Sequence, residues 1–457
     1  MRIWALTCFA ALAGCGDDDC CKVSGDAAVD ANDGYVEVAR RPVLVNRDLD
    51  MLFVIHDSNG MLDKQTNLKG AFPVLVNTLN AMEGGLPNLH IGVVSSDLGT
   101  KGADDAAPGP SVGSGPGSCA GTGKSGNLQT NNTTLVSGAF ISDIANTDGT
   151  RTTNYFGSLA DAFGAFASLG ANGCAIEQPL HAARAALNNT PANAGFLRAN
   201  AHLALVVFGD EDDCSMAHST LLGSDTATLG PLSSFRCTRF GITCDEGGAT
   251  SDEMNVPGVK GQCHSNEASP YLTPITEYVS FFQGLKADPS DVLFSAIVGP
   301  PTPVEVELRP PVGGGAPIPQ LAHSCTYDAS TPQEVADPAV RIVQIANMFA
   351  RHTIGSVCDV DLAASLVDLG VQLRLMIGDA CLTREIAQPP DCKVTEEAGG
   401  TSTPLPACDN GASSTNKPCY ELVADPVACT AGSHTKLVVQ RDQAPVADRV
   451  VVASCKL

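Results

Sequence analysis

The sequence predicts a layered α/β protein built on a parallel sheet. Two apolar runs, and the alternation of periods around them, carry that expectation. Met51 to Ile55 (MLFVI) has no polar alternation and is rich in β-branched and aromatic residues, which fits a strand buried on both faces of a parallel sheet. Leu203 to Phe208 is a second run of the same kind. Strand and helix periods alternate from the start of the chain, as in α/β layered folds.

Leu49 to Met61 reads LDMLFVIHDSNGM, an apolar strand that ends in small polar and acidic side chains. In open α/β sheets, ligands bind where such strands finish. From Met61 to Met82 apolar residues recur near helical period, and Pro73 is expected to kink or divide that helix. A strand at His90 to Val94 ends in Ser95, Ser96 and Asp97. Thr100 to Thr130 is dominated by Gly, Ser, Pro and Thr and reads as a surface excursion. Gly123-Lys124-Ser125 within it imitates the end of a phosphate-binding loop, but Ser118 stands where that motif needs glycine, so the tripeptide reads as loop composition.

A strand or turn near Ala139 to Ile144 precedes helical patterns at Phe156 to Leu169 and Ile176 to Leu187. Leu203 to Phe208 runs into Gly209-Asp210-Glu211-Asp212-Asp213-Cys214. Carboxylates in a row at a strand end are either a solvated turn or cation ligands. Leu221 to Pro257 reads as a disulfide-stapled insertion. A helix at Ile275 to Leu285, a strand at Val292 to Val298, a Pro/Gly-rich loop at Pro300 to Pro319, and helices near Pro338 to Phe349 and Asp361 to Leu369 follow. Beyond Cys381 short strands and turns end in a β-hairpin-like tail.

At 457 residues and 44% apolar content, the chain can fill two or three domains, or one with large insertions. With 27 basic against 50 acidic residues its net charge is -23, which repels nucleic acid and favours a cation or a basic partner. Arg2 and the apolar Ile3 to Ala11 form a signal peptide, and Leu12-Ala13-Gly14-Cys15 resembles the bacterial lipobox. Cys15 is then expected to carry lipid (palmitate among its acyl chains) and to hold the protein to the cell envelope, at the outer membrane rather than the inner. Gly16 to Gly34, acidic and poor in large apolar residues, reads as a tether. Its DANDG end lacks the spacing of a calcium loop.

Of 18 cysteines, Cys8 leaves with the signal and Cys15 takes lipid, so an even set remains for disulfides in an oxidising compartment. The spacing does not suit zinc. Cys237 with Cys244, and Cys381 with Cys392, are close enough in sequence to be local staples.

LDMLFVIHDSNGM followed by a helix, LHIGVVSSDLG, NGCAIEQPLHAARAAL and LALVVFGDEDDCS, in that order, resemble the von Willebrand factor A (VWA) domains of myxobacterial-type lipoproteins. The resemblance covers Val43 to Cys381. It implies a doubly wound, mostly parallel, Rossmann-like sheet with helices on both faces. The implied organisation is a signal peptide (1–14), a tether (15–42), a VWA-like domain (43–380) with insertions near 100–135 and 215–265, and a Cys-rich β-type region (381–457).

In that family a metal-ion-dependent adhesion site holds Mg²⁺ or Mn²⁺ through an Asp-x-Ser-x-Ser loop, a Thr and a later Asp. Carried over, the leading Asp falls on His56, the first Ser on Ser58, the second on Gly60 and the late Asp on Asp210. The Thr falls near Ala175, with Glu177 the nearest oxygen donor. This is a degenerate version of the site, and four readings of it stand open. It is an adhesion metal site; or Asp57, Ser58 or Asn59 caps the following helix; or a rearranged Ca²⁺ or Mg²⁺ site uses Asp57, Ser58, Asp97, Asp210 and Asp212; or His56 is a charged partner replacing the cation.

The implied function is non-enzymatic: cation-assisted or cation-free binding of a protein or peptide at the top of the sheet, with no nucleotide or nucleic acid partner. The alternative is a structural envelope lipoprotein whose degenerate site binds no metal. No GxSxG or HExxH spacing supports an enzyme, and Ser58 is not a dyad partner of His56 merely by proximity in sequence.

Overall fold

A computed structural model describes residues 34–457 except 44, 83–84, 189, 312–313, 379, 410–413, 428, 430–431 and 443–448. The expected signal peptide (1–14), Cys15 as the expected lipid carrier and most of the expected tether (15–42) lie outside the described residues. The apolar run at the head of the chain becomes β1 (Asp48–Ile55), the centre of a seven-stranded sheet. With β2 (Asn88–Ser95), β3 (Ile141–Ala145), β4 (Arg151–Thr153), β5 (His202–Phe208), β6 (Val292–Val298) and β7 (Arg351–Ser356), the strand order is β7-β6-β5-β1-β2-β3-β4. The five strands from β7 to β2 are parallel, and β3 and β4 turn antiparallel at the edge.

Burial on both faces explains the uninterrupted apolar run of β1. Met51, Phe53 and Ile55 pack against α1 (Leu62–Asn80), α2 (Leu159–Ala167) and α6 (Ala363–Ile377). Leu52 and Val54 join the opposite layer with α3 (Pro179–Leu187), α4 (Ile275–Gln283) and α5 (Val340–Ala346). Close approach of α6 to α1 needs the small residue Gly370, where a Cβ would come within 2.6 Å of Thr78.

Several sequence expectations are corrected. Pro73 does not divide α1, which runs unbroken for 19 residues with Pro73 on its exposed face. There the missing N–H and the unbonded carbonyl one turn back can turn to solvent. The polar strand β7 (RHTIGS) has no apolar run to announce it because it is a half-buried edge. The loop at 300–319 contains the strand Val304–Arg309, which pairs with Gly258–Ser265 and carries the insertion further along the chain than 265. Residues assigned to the tether include the strand Val36–Pro42, which pairs antiparallel with Val450–Cys455 in the C-terminal β-rich region. The tail is no hairpin, since Thr435–Gln440 and Val450–Cys455 belong to different sheets.

All four cysteines expected in local staples are bonded, but to other partners. The pairs are Cys214–Cys237, Cys244–Cys263, Cys381–Cys429 and Cys392–Cys455. Cys119–Cys174, Cys325–Cys358 and Cys408–Cys419 complete seven among the described residues. Tertiary proximity, not sequence separation, chose them. No helix among the described residues is long and apolar enough to cross a membrane.

Candidate functional site

The sheet order reverses direction between β1 and β5. Connections leaving β1 run over one face through α1, and those leaving β5 reach α4 on the other, which makes these strand ends the position where open α/β sheets form a ligand crevice. At this position lie His56, Asp57 and Ser58 after β1, Ser95 and Ser96 at the end of β2, and Asp210 after β5; all are buried.

Each acidic group has a specific partner. Asp57 accepts hydrogen bonds from Ser95 Oγ at 2.8 Å and from Lys124 Nζ of the loop between β2 and β3. The Asp57 carbonyl takes Gly173 N–H at 2.7 Å, and glycine is required there because a Cβ would lie 2.1 Å from Asp57 Oδ1. Asp210 Oδ2 faces Lys64 Nζ at 3.4 Å, and the same ammonium donates to the carbonyls of Gly60 (2.6 Å) and Val335 (2.9 Å) and lies 3.5 Å from Glu334. Glu177 accepts from Ser58 N at 3.2 Å and from Ser96 Oγ. His56 Nδ1 stands 3.7 Å from Asp210 Oδ1, an electrostatic contact too long for a hydrogen bond. Its ring lies flat against Gly209, where any Cβ would come within 2.4 Å of it.

The expected site residues are therefore only partly brought together. Asp57, Ser58, Asp210, His56 and Glu177 share the crevice. Asp97 turns back to accept Gly99 N–H of its own loop at 2.8 Å. Asp212 caps α5, accepting Arg341 N–H at 3.0 Å and Ile342 N–H at 3.1 Å. Asp213 pairs with the buried Arg341. The acidic run is thus no simple solvated turn: Asp210, Asp212 and Asp213 each have a separate protein partner. Nor does Asp57, Ser58 or Asn59 cap α1 with a side chain: Met61 is the capping residue and makes no side-chain cap bond. Ala175 offers no donor, and its N–H bonds the Gly117 carbonyl in the neighbouring loop. Gly60 has φ +104°, a left-handed geometry that strains a serine, and a Cβ there would lie 3.0 Å from Asp210 Oδ2.

Sequence reasoning misses Lys64 and Lys124. Lys64 carries one signal: a base in the first turn of a helix opposes the helix dipole, so another interaction must hold it. Lys124, 67 residues from Asp57, carries none beyond a tripeptide that loop composition explains.

The donor set does not fit Mg²⁺ or Ca²⁺, which take six or more oxygens. Ser58 Oγ, Asp210 Oδ1 and Glu334 Oε2 are buried here without a hydrogen-bond partner, while two ammonium groups and an imidazole already face the carboxylates. Among the described residues no three His, Cys, Asp or Glu side chains converge as metal ligands. Burial works against a charged His56, but Glu177, Asp210 and Asp57 outweigh it and raise its pKa. Burial pushes the Glu177 carboxyl up to about 7; His56 opposes the rise and Asp57 adds to it.

A pH dependence follows. The folded pKa of Glu177 lies above the unfolded value of about 4.3, so the stability it contributes is full below that value and is lost as pH climbs toward the folded value. His56, also raised, acts in the same direction at somewhat higher pH. His181, held down to about 4 by burial, Arg184 and Lys101, acts in the opposite direction. Glu177→Gln removes this contribution together with the hold of Glu177 on His56, both of which act in the same direction. Thermal melts should show the variant gaining on the native protein between about pH 5 and about pH 8. A constant difference across that range would refute the assignment.

No protein-family model matches the chain, and no curated protein does. Solved structures with some likeness include a von Willebrand factor type A protein from Catenulispora acidiphila, at 11% identity and a TM-score of 0.28, covering 93% of this chain and 67% of that one. The pilus adhesin SpaC from Lactobacillus rhamnosus GG aligns at 11% identity and a TM-score of 0.30, over 94% of this chain and 44% of the adhesin. The pilus adhesin RrgA from Streptococcus pneumoniae aligns at 11% identity and a TM-score of 0.24, over 95% and 64%. The chain thus spans less than half the length of SpaC. The reading of the site stands on this chain's own strand order and side chains.

Proposed function

We propose that this chain is an exported, lipid-anchored binding protein of the VWA type, and that the crevice edge of its doubly wound sheet engages a protein or peptide without chemical turnover. The observation that carries this reading is the convergence of His56, Asp57, Ser58, Glu177 and Asp210 at the point where the strand order reverses, the place where open α/β sheets receive ligands. Seven disulfides among the described residues fit an oxidising compartment, and the lipobox-like Leu12 to Cys15 supplies the anchor. Ser58 Oγ and both His56 ring nitrogens make no hydrogen bond, so the link that joins a nucleophile to its base is not formed between them. A net charge of -23 favours basic partners over nucleic acid.

Photo-crosslinking tests the location. A crosslinking amino acid placed in cells at Asn59, Thr122 or Ser125, all exposed around the crevice, should yield discrete protein adducts. The exposed Asn46, just before β1 at the opposite end of the sheet, should yield none. Adducts at Asn46 alone would move the binding face elsewhere.

A further inference from the structure

We propose that Lys64 and Lys124 are resident cations of this edge, Lys64 pairing with Asp210 and Lys124 with Asp57, so that these two buried carboxylates are held without a divalent ion. The two lysines arrive from different directions. Lys64 comes from the first turn of α1, is fully buried, and makes its contacts to Asp210 and Glu334 together with two carbonyls. Lys124 comes from the loop between β2 and β3 and is partly exposed. That loop is held over the strand ends by Lys124 N–H on the Asp97 carbonyl (2.8 Å) and by the disulfide Cys119–Cys174.

Charge counting supports the assignment. Asp57 faces Lys124, and Asp210 faces both Lys64 and His56, with Lys64 also reaching Glu334; Asp57 and Asp210 are almost wholly buried. An uncompensated carboxylate there would be costly, and a lysine placed within reach removes the cost without any ion from solution. A compact, rotatable ammonium can do this because its donors diverge. Lys64 spreads them over two carbonyls and the Asp210 oxygen, the coordination by backbone and carboxylate that a small hard cation would otherwise seek. His56 reinforces the arrangement on the free oxygen of Asp210, and its ring fits because position 209 is glycine. The inference holds whatever the ligand is, so it can fail while the binding function stands, and the reverse.

A charge-matching experiment on the full-length protein in detergent, read as melting temperature in EDTA and in millimolar MnCl₂, tests the pairing. The native protein should melt at the same temperature in both. Lys64→Met and Lys124→Met should each melt several degrees lower in EDTA and recover part of the loss with Mn²⁺. Lys64→Met combined with Asp210→Asn, and Lys124→Met combined with Asp57→Asn, should melt well above the corresponding single variants in EDTA, because removing both partners leaves no orphaned charge. If Lys64→Met does not fold, the double variant decides: a folded Lys64→Met/Asp210→Asn protein upholds the pairing, and one that also fails to fold overturns it. A rise in the native protein's melting temperature with Mn²⁺, or double variants no more stable than the singles, would likewise overturn the inference.

Discussion

Replacing Arg341 with methionine is expected to lower the stability of the domain by about 3–5 kcal/mol, read from the urea midpoint of its first unfolding transition. Arg341 is 1% exposed and joins three parts of the chain. Its Nε and Nη2 reach Asp213 Oδ2 beyond β5 at 3.3 and 3.1 Å. Nη1 donates to Ser265 Oγ (2.9 Å) and the Gly241 carbonyl (3.3 Å) in the insertion, and Nη2 to the Thr273 carbonyl (2.8 Å) just before α4. Methionine fills much of the volume but leaves Asp213 without its ion-pair partner and the Thr273 carbonyl without its donor, while the Gly241 carbonyl keeps Asn266 N–H and the Ser265 hydroxyl keeps Glu267. Adding Asp213→Asn should recover part of the loss, which separates the charge from the packing. A loss below about 1 kcal/mol for the single variant would mean that the insertion is not anchored here.

Phe163→Ala is expected to cost about 3–5 kcal/mol for a different reason, loss of packing where three elements meet. The Phe163 ring of α2 stacks on Phe72 of α1 with centroids 3.8 Å apart and leans on Phe53 of β1 at 4.7 Å. Phe53 and Phe72 meet edge to face at 6.1 Å, and all three are fully buried. Alanine leaves a cavity that neither helix can close without leaving the sheet. Phe163→Leu should lose less, and Phe163→Ala in a Phe72→Ala background less than the sum of the singles, because the two share one contact. Additive losses would show that the rings do not act as a unit.

The strands of the sheet are legible where both faces are buried. Met51 to Ile55, Leu203 to Phe208 and Val292 to Val298 all lie in parallel strands of the central sheet, because a strand covered by helices on both sides must be apolar at every position. β7 is illegible for the converse reason: as an edge, it needs no apolar run. The helical pattern of α6 stops at Leu369 although the helix continues to Ile377, because the buried Gly370 and Arg374 interrupt its apolar spacing. Both residues are there for tertiary reasons, Gly370 for the approach of α1 and Arg374 for its ion pair with Asp425 at 2.7 Å.

The candidate site is half legible. Its place, the polar end of β1, can be read from the abrupt change at His56, and Asp210 from the end of β5. Its chemistry cannot, since acids written side by side at Asp210, Asp212 and Asp213 go to three different partners: Lys64, the N-terminus of α5 and Arg341.

By itself, then, the sequence determined which segments form the buried sheet and where along the chain its polar edge begins. Those properties follow from local composition and period, because burial on both faces constrains each residue of a strand. Only the tertiary structure decided how the edge is neutralised. Lys64 and Asp210 are 146 residues apart, and Lys124 and Asp57 are 67. Desolvation and Coulomb attraction act over distance in space, so pairing among buried charges is settled by which loops the fold brings over the strand ends and not by their spacing along the chain.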